Sequence, residues 1–421
     1  MAATMRPVRA PTREVGLNIL HVVLKVAERC NLVCPYCYFF FNGDETYKKH
    51  PAVMPMATVK ATAAFLREAV LSGGYDSVRL VFHGGEPLLV KKKTFRAMCD
   101  AFCNELDDVC DLLLGVQTNG VLIDEEWIEI FEAYRMRIGV SFDGIGEQHD
   151  RTRINKQGKG TYAETKRGWD LLMAAAADGR ISRPGLLCVV DPAAEGGETL
   201  TTFLEALDAE GVNFLLPDYT HDSPEFTPEL VEQCGDYMLS VVRRWLSLGR
   251  SAVRVRFIME VFGPLVDDAI ARRTIIGKNN PLALVTISSN GDISPDDTLR
   301  GIGPEFQDTG LNVSTSRLAD VFAHPLWRDL AKAHETPGGD CATCKWWNAC
   351  KGGMQLHRYS ADRGLANESI YCGALKRLHG GLAEMLVKSG YSAADMERRM
   401  SRAFARETFA MIPAIKEMAD A

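Results

Sequence analysis

From Leu17 to about Leu216, short apolar runs rich in β-branched residues alternate with longer stretches whose apolar positions recur at helical spacing. The short runs are Asn18–Val26, Ser77–Phe82, Leu112–Gln117, Ile138–Ser141, Leu186–Val190 and Phe214–Leu216. Between them lie Ala57–Leu71, Thr94–Glu105, Glu125–Tyr134, Thr161–Ala176 and Thr199–Ala209. This alternation predicts parallel βα units, arranged as an open doubly wound sheet or as a closed or partial barrel. Both arrangements collect ligands beyond the carboxyl ends of the strands. Downstream, Pro217–Thr227 is looser and reads as a change of domain. A helix is expected over Pro228–Leu248 and a hairpin between Gly277 and about Gly310, and helical periodicity returns from Ala374 to Arg406.

At 421 residues, 46% hydrophobic and 24% charged, the chain can bury a sizeable core. It has room for roughly two or three domains. The net charge of −7 argues against a general nucleic-acid or anionic-membrane partner. The longest apolar stretch, Leu17–Ala27, contains His21 and Lys25 and falls short of the ~20 residues a membrane helix needs. Met1–Gly16 has no apolar secretory core. The expectation is a soluble cytoplasmic chain, without nucleic acid or membrane.

Twelve cysteines change the picture. Grouped thiols in a reducing cytosol bind metal or do chemistry more often than they pair. Cys30, Cys34 and Cys37 are spaced Cys-x3-Cys-x2-Cys directly after the first strand, at the ligand-binding edge. Three thiolates in one loop suit three irons of a [4Fe–4S] cube with the fourth iron open, or a zinc ion completed by His50 or a remote residue. Cys341, Cys344, Cys350 and Cys372 supply enough thiolates for a closed cube or for a zinc ribbon. Cys99, Cys103, Cys110, Cys188 and Cys234 are dispersed and read as buried core thiols.

The run Cys30-Asn-Leu-Val-Cys34-Pro-Tyr-Cys37 resembles the signature of radical S-adenosylmethionine (SAM) enzymes, whose open iron takes the amino and carboxylate groups of SAM. Later strand ends are similar to the same family: His83-Gly84-Gly85-Glu86-Pro87, Gln117-Thr118-Asn119-Gly120, and Ser141-Phe142-Asp143-Gly144 followed by His149-Asp150-Arg151-Thr152-Arg153. The resemblance implies that Gly84 and Gly85 bare the backbone for SAM and that Glu86 meets its ammonium group. It also implies that Ser141 and Arg153 reach the ribose or carboxylate, and that Tyr36 lies near the adenine. Asp143-Gly144 reads otherwise as an ordinary turn.

The second cysteine set resembles a SPASM auxiliary-cluster domain. It departs from the two-cluster form where Asn290 and Asp296 replace hairpin cysteines and where Met354 interrupts the later cysteine run. The resemblance therefore implies one auxiliary [4Fe–4S] cluster, the distal one. Asp296-Asp297-Thr-Leu-Arg300, and His357-Arg358-Tyr359-Ser360 with Asn367 to Cys372, resemble maturases of ribosomal peptides that form cyclophanes. Those enzymes join an aromatic ring carbon to a β-carbon.

The expected fold class is α/β: a partial (β/α)6 radical SAM barrel, a small C-terminal SPASM-like auxiliary domain and a terminal helix. The expected boundaries are 1–16 for an N-terminal segment, 17–240 for the barrel, 241–275 for a linking helical segment, 276–375 for the auxiliary domain and 376–421 for a helical tail. The expected activity is that of an oxidoreductase taking a hydrogen atom from a precursor peptide and closing a C–C crosslink. Its cofactors would be SAM, a [4Fe–4S] cluster on Cys30, Cys34 and Cys37, and an auxiliary [4Fe–4S] cluster on Cys341, Cys344, Cys350 and Cys372. Flavodoxin or ferredoxin would supply electrons, and the auxiliary cluster would take one back. Asp296 or Asp297 would accept the proton, or would merely shape a turn. The peptide's leader would bind along an exposed strand edge or through a partner protein. The alternatives are an anaerobic sulfatase-maturating enzyme that makes formylglycine, a thioether-forming enzyme, an iron–sulfur electron-transfer protein and a zinc-dependent binding module.

Overall fold

The computed structural model describes residues 19–41, 43–249 and 253–411. Among them a nine-stranded sheet runs β7-β6-β5-β4-β3-β2-β1-β8-β9. The strands are β1 (Ile19–Ala27), β2 (Ser77–Gly84), β3 (Asp111–Thr118), β4 (Arg137–Ser141), β5 (Gly185–Val189), β6 (Gly211–Leu215), β7 (Arg254–Val255), β8 (Leu284–Ile287) and β9 (Ile293–Ser294). Neighbours pair in parallel except β8 with β9. The sheet is not closed, so the α/β core is a partial barrel.

The strands and helices that the periodicity predicts between Leu17 and Leu216 form within a few residues of their expected ends. Helices Met56–Gly73, Lys92–Leu106, Glu125–Ala133, Tyr162–Ala177 and Gly196–Leu207 connect β1 through β6. They pack on the outer face, where Leu20, Val22 and Leu24 of β1 and Val78, Leu80 and Phe82 of β2 are buried in one continuous core. Local chemistry sets the helix starts. Asp124 accepts from the Trp127 N–H, and Thr227 accepts from Leu230 with Pro228 at the first helical position.

Two features are not legible in the pattern. β8, the first strand of the expected hairpin, pairs in parallel with β1, so the hairpin extends the barrel sheet. The stretch Pro217–Thr227 is not a free linker. Tyr371 donates its hydroxyl to the Pro217 carbonyl at 3.0 Å, the His221 N–H donates to Tyr359 O at 3.0 Å, and Ala361 N–H reaches Asp222 at 2.8 Å. The loop after β6 is thereby fastened to the segment that carries the second cysteine set. The C-terminal periodicity resolves into three helices, Cys372–Lys388, Ala393–Met400 and Arg402–Ala410. The first ends near Gly390, whose φ of +93° a side chain would strain.

Candidate active site

Cys30, Cys34 and Cys37 sit in the loop that leaves the carboxyl end of β1, all partly buried. A turn closes between Cys34 O and Cys37 N–H at 3.0 Å, and Val33 N–H is held by Ile154 O at 2.9 Å. Two donors already point at sulfur: Leu32 N–H lies 3.3 Å from Cys30 Sγ, and the Asn119 side-chain amide 3.9 Å from it. Such N–H···S contacts are the protein's means of tuning an iron–sulfur centre. Burial pushes the Cys30 thiol up to about 12 and Cys34 to about 11, and raises Cys37 as well. Free, the trio keeps its protons at neutral pH, so metal must displace them.

The glycine pair braces this loop. A Cβ on Gly84 would lie 2.1 Å from Ala27 O, at a φ of +131°, and one on Gly85 would lie 2.3 Å from Arg29 O. Gly85 and Glu86 donate their N–H groups to those same carbonyls. The carboxylate of Glu86, which the resemblance sets against an ammonium group, already has three donors of its own. It accepts from Leu88 N–H at 2.9 Å, Thr118 Oγ1 at 2.7 Å and Asn119 N–H at 2.8 Å. Burial still pushes it to about 7. Glu86 fastens the end of β2 to the end of β3.

Asp143 is more than the ordinary turn residue that Asp143-Gly144 suggests. Arg153 pairs with its carboxylate at 2.9 Å, the Tyr36 hydroxyl donates to it, and Val189 N–H reaches it at 3.1 Å. The guanidinium lies 5.8 Å from the centre of the Tyr36 ring. Nearby, Ser141 accepts from Gln117 Nε2 at 2.9 Å, which leaves its own proton free to donate. Tyr36, Ser141 and Arg153 thus gather above β4 and β5, but Arg153 arrives already neutralised by Asp143.

Asp297 is not a free base. Lys25 of β1 and the Tyr38 hydroxyl both donate to its Oδ2, and Arg300 lies 3.7 Å from its Oδ1. Burial would raise this carboxyl, yet Lys25, Arg300 and His83 hold it down at about 2. Asp296 caps the following turn by accepting from Thr298 N–H and hydroxyl. The residue that the motifs did not single out is Asp218, in the loop after β6. Burial and then the negative Asp296 and Asp297 push it to about 7. Nothing in the local sequence marks Asp218, because its environment is assembled from distant segments.

The thiols of Cys341, Cys344, Cys350 and Cys372 line one cavity with Trp346, Trp347, Ser369 and His379. Trp346 donates its N–H toward Cys344 Sγ at 3.4 Å, and its ring packs on His379 at 5.6 Å. Arg358 holds the surrounding loops by donating to Asn367 O and Ala333 O, while Asn367 donates back to Arg358 O. The donor set suits a cluster with four thiolates. Among the described residues, no three His, Cys, Asp or Glu side chains converge as a single metal ion requires. Cys99, Cys188 and Cys234 are buried and Cys103 and Cys110 partly so.

Residues 24–183 match the Radical SAM superfamily. This stretch, which holds the cysteine loop and the ends of β1 to β4, is a radical SAM domain. Its cofactors are therefore SAM and a [4Fe–4S] cluster, for which the donor-flanked cysteine loop fits. The enzyme is 22% identical over 377 residues to a cysteine-type anaerobic sulfatase-maturating enzyme of Clostridium perfringens, covering 85% of this chain and 94% of that one. It is 34% identical over 158 residues to the serine-type enzyme of Bacteroides thetaiotaomicron, covering 36% of each. Its fold matches anSMEcpe with bound AdoMet at a TM-score of 0.72, with 19% identity over 88% of this chain and 98% of that one. It also matches Streptococcus suis SuiB bound to precursor peptide SuiA, at a TM-score of 0.56 and 16% identity, over 85% and 76% of the two chains. No helix among the described residues is long and apolar enough to cross a membrane.

Proposed function

We propose that the enzyme matures a ribosomally made peptide, taking one hydrogen atom from it and closing a C–C bond between an aromatic ring and a β-carbon. The observation that carries this reading is the hairpin. Asn290 and Asp296 are spent on backbone turns there, so the segment between barrel and second cysteine set offers carboxylate rather than thiolate. When bound, the cluster and SAM supply the one-electron chemistry that generates a carbon-centred radical. Cys30, Cys34 and Cys37 hold the cluster. Tyr36, Ser141 and the backbone around Gly84 and Gly85 receive SAM, while Glu86 and Arg153 hold the strand ends in place. Asp218, whose carboxyl burial raises to about 7, would accept the proton that rearomatisation of the ring releases, and the auxiliary cluster would take the electron released with it. Cys341, Cys344, Cys350 and Cys372 are the ligands of an auxiliary cluster shielded by Trp346 and Trp347.

A second reading, oxidation of a sulfatase cysteine or serine to formylglycine, is favoured by similarity along nearly the whole of the Clostridium enzyme. Anaerobic reconstitution followed by mass spectrometry separates the two. A peptide bearing aromatic residues should lose two hydrogens, about 2 Da, per link and resist reopening. Conversion of a sulfatase peptide's cysteine to an aldehyde would favour the second reading instead. About eight irons per chain are expected, falling to about four when Cys30, Cys34 and Cys37 become Ala, with 5′-deoxyadenosine released only by the unaltered enzyme. Zinc in place of iron would overturn both.

A further inference from the structure

The amino end of the sheet's inner face carries a cluster of cations that the proposed chemistry leaves unused. Because the alternate residues of β1 and β2 are buried outward, the other parity faces inward. Strand register sets His21 beside Arg79, Arg79 beside Leu113, Gly115 beside Arg137 and Gly211 beside Arg254. Arg256, first residue of the helix Arg256–Val266, joins the group. Burial and then the fields of Arg79 and Arg256 push the His21 imidazole down to about 4. Burial, Arg256 and Arg137 likewise lower Arg79. All four arginines are exposed. Arg256 shares Glu260 at 2.7 Å, whereas Arg79, Arg137 and Arg254 have no carboxylate partner among the described residues. Asp111, at the start of β3, is the one acid that shares their strand face among those residues.

Like charges gathered in a protein of net charge −7 are a cost that an anionic partner would relieve. At ~4.8 Å per strand, β2 and β4 are about 10 Å apart across the sheet, too wide for one phosphate, while Arg256, just past β7, lies close enough to act on both His21 and Arg79. An extended chain with acids on alternate residues, every ~6.6 Å, matches that spread. Residues 1–18 of the enzyme itself carry Arg6, Arg9 and Arg13 against Glu14, and offer no matching charge. The strand edges offer little either. β7 is two residues long, and the Ile293 N–H of β9 already donates to Leu311 O.

We propose that this basin binds an acidic segment of the peptide substrate, a run of glutamate or aspartate residues outside the part that reacts. The proposal rests on the peptide-substrate reading. Along β2, Arg79 stands four residues below His83, roughly 13 Å from the SAM end, so recognition and chemistry can be tested apart.

The test uses the reconstituted full-length enzyme and a fluorescein-labelled glutamate–glycine repeat peptide, followed by fluorescence anisotropy. Binding should weaken with added salt and fall at least about tenfold in the Arg79→Gln/Arg137→Gln variant, while Arg96→Gln, on a distant helix, binds as before. Iron content and peptide-free deoxyadenosine release should be unchanged in all three proteins. The assignment is overturned if the double variant binds the peptide as tightly as the unaltered enzyme, or if the unaltered enzyme does not bind it. It is also overturned if pyrophosphate saturates the basin while the glutamate peptide is refused. Failure to cleave SAM would sink the radical reading without touching this binding result.

Discussion

The ammonium of Lys25 in β1 is bonded to the carboxylate of Asp297, 272 residues farther along the chain, and both side chains are buried. Tyr38, one residue past Cys37, donates to the same oxygen. Arg300 continues the network to Asp44 at 2.6 Å and stacks on Phe39 at 4.2 Å. One buried ion pair therefore ties together the first barrel strand, the cysteine loop and the hairpin that precedes the second cysteine set. Charges so placed are tolerated only because each has several partners.

Removing one member should expose that dependence. Asp297→Ala leaves Lys25 buried without its counter-charge, and an unfolding free energy lower by about 3–5 kcal/mol is expected in anaerobic urea titrations. Lys25→Met with Asp297→Leu should recover much of the loss. The pH sign follows from the depressed carboxyl of Asp297. Its contribution is complete above the unfolded value of about 4 and fades as pH falls toward 2. A single variant as stable as the parent would mean that the network is ornamental.

Gly84→Ala should damage the cysteine loop rather than the barrel. The added methyl would lie 2.1 Å from Ala27 O, a backbone atom at the root of that loop. Iron should drop from about eight to about four per chain with circular dichroism nearly unchanged. Retention of all the iron together with SAM cleavage would show that the brace is dispensable.

Crosslinking should depend on pH through Asp218. Its carboxyl is raised to about 7, so it can accept a proton only above that pH. Product formation is expected to rise about tenfold per pH unit below 7 and to level off above it. Asp218→Asn should lower crosslinking by about 10²–10⁴ and abolish the limb, while deoxyadenosine release persists. A limb that survives in Asp218→Asn would assign the proton to another group.

Asp143→Asn would leave Arg153 buried against a neutral partner and loosen Tyr36. The expected result is a KM for SAM raised at least about tenfold, with a smaller change in kcat. Unchanged KM would place Asp143 in the fold alone.

Much of the barrel was legible because its cause is local. Period-two strands and period-3.6 helices follow from which residues alternate, and the helix Pro228–Leu248 forms at its expected limits. The cysteine loop was legible for a similar reason, since the spacing of three thiols in eight residues is itself the chemistry. Pro217–Thr227 was not, because its polar residues find their partners in Tyr359, Ala361 and Tyr371. Such bonds leave no periodic trace. Glu86 shows the same division. Its place at a strand end could be read from Gly-Gly-Glu-Pro, but not that Thr118 and Asn119 would occupy the carboxylate.

By itself the sequence determined the order of strands and helices, the grouping of thiols into two sets and the strand ends where ligands collect, all of which depend on residues near one another in the chain. Tertiary structure alone decided the charge states and partners at those ends. Asp297 became an acidic, paired carboxylate and Asp218 a near-neutral one because burial and neighbouring charge set their affinity for protons. The basic face was decided in the same way, since Arg79, Arg137 and Arg254 share one face of the sheet only when their strands are laid side by side.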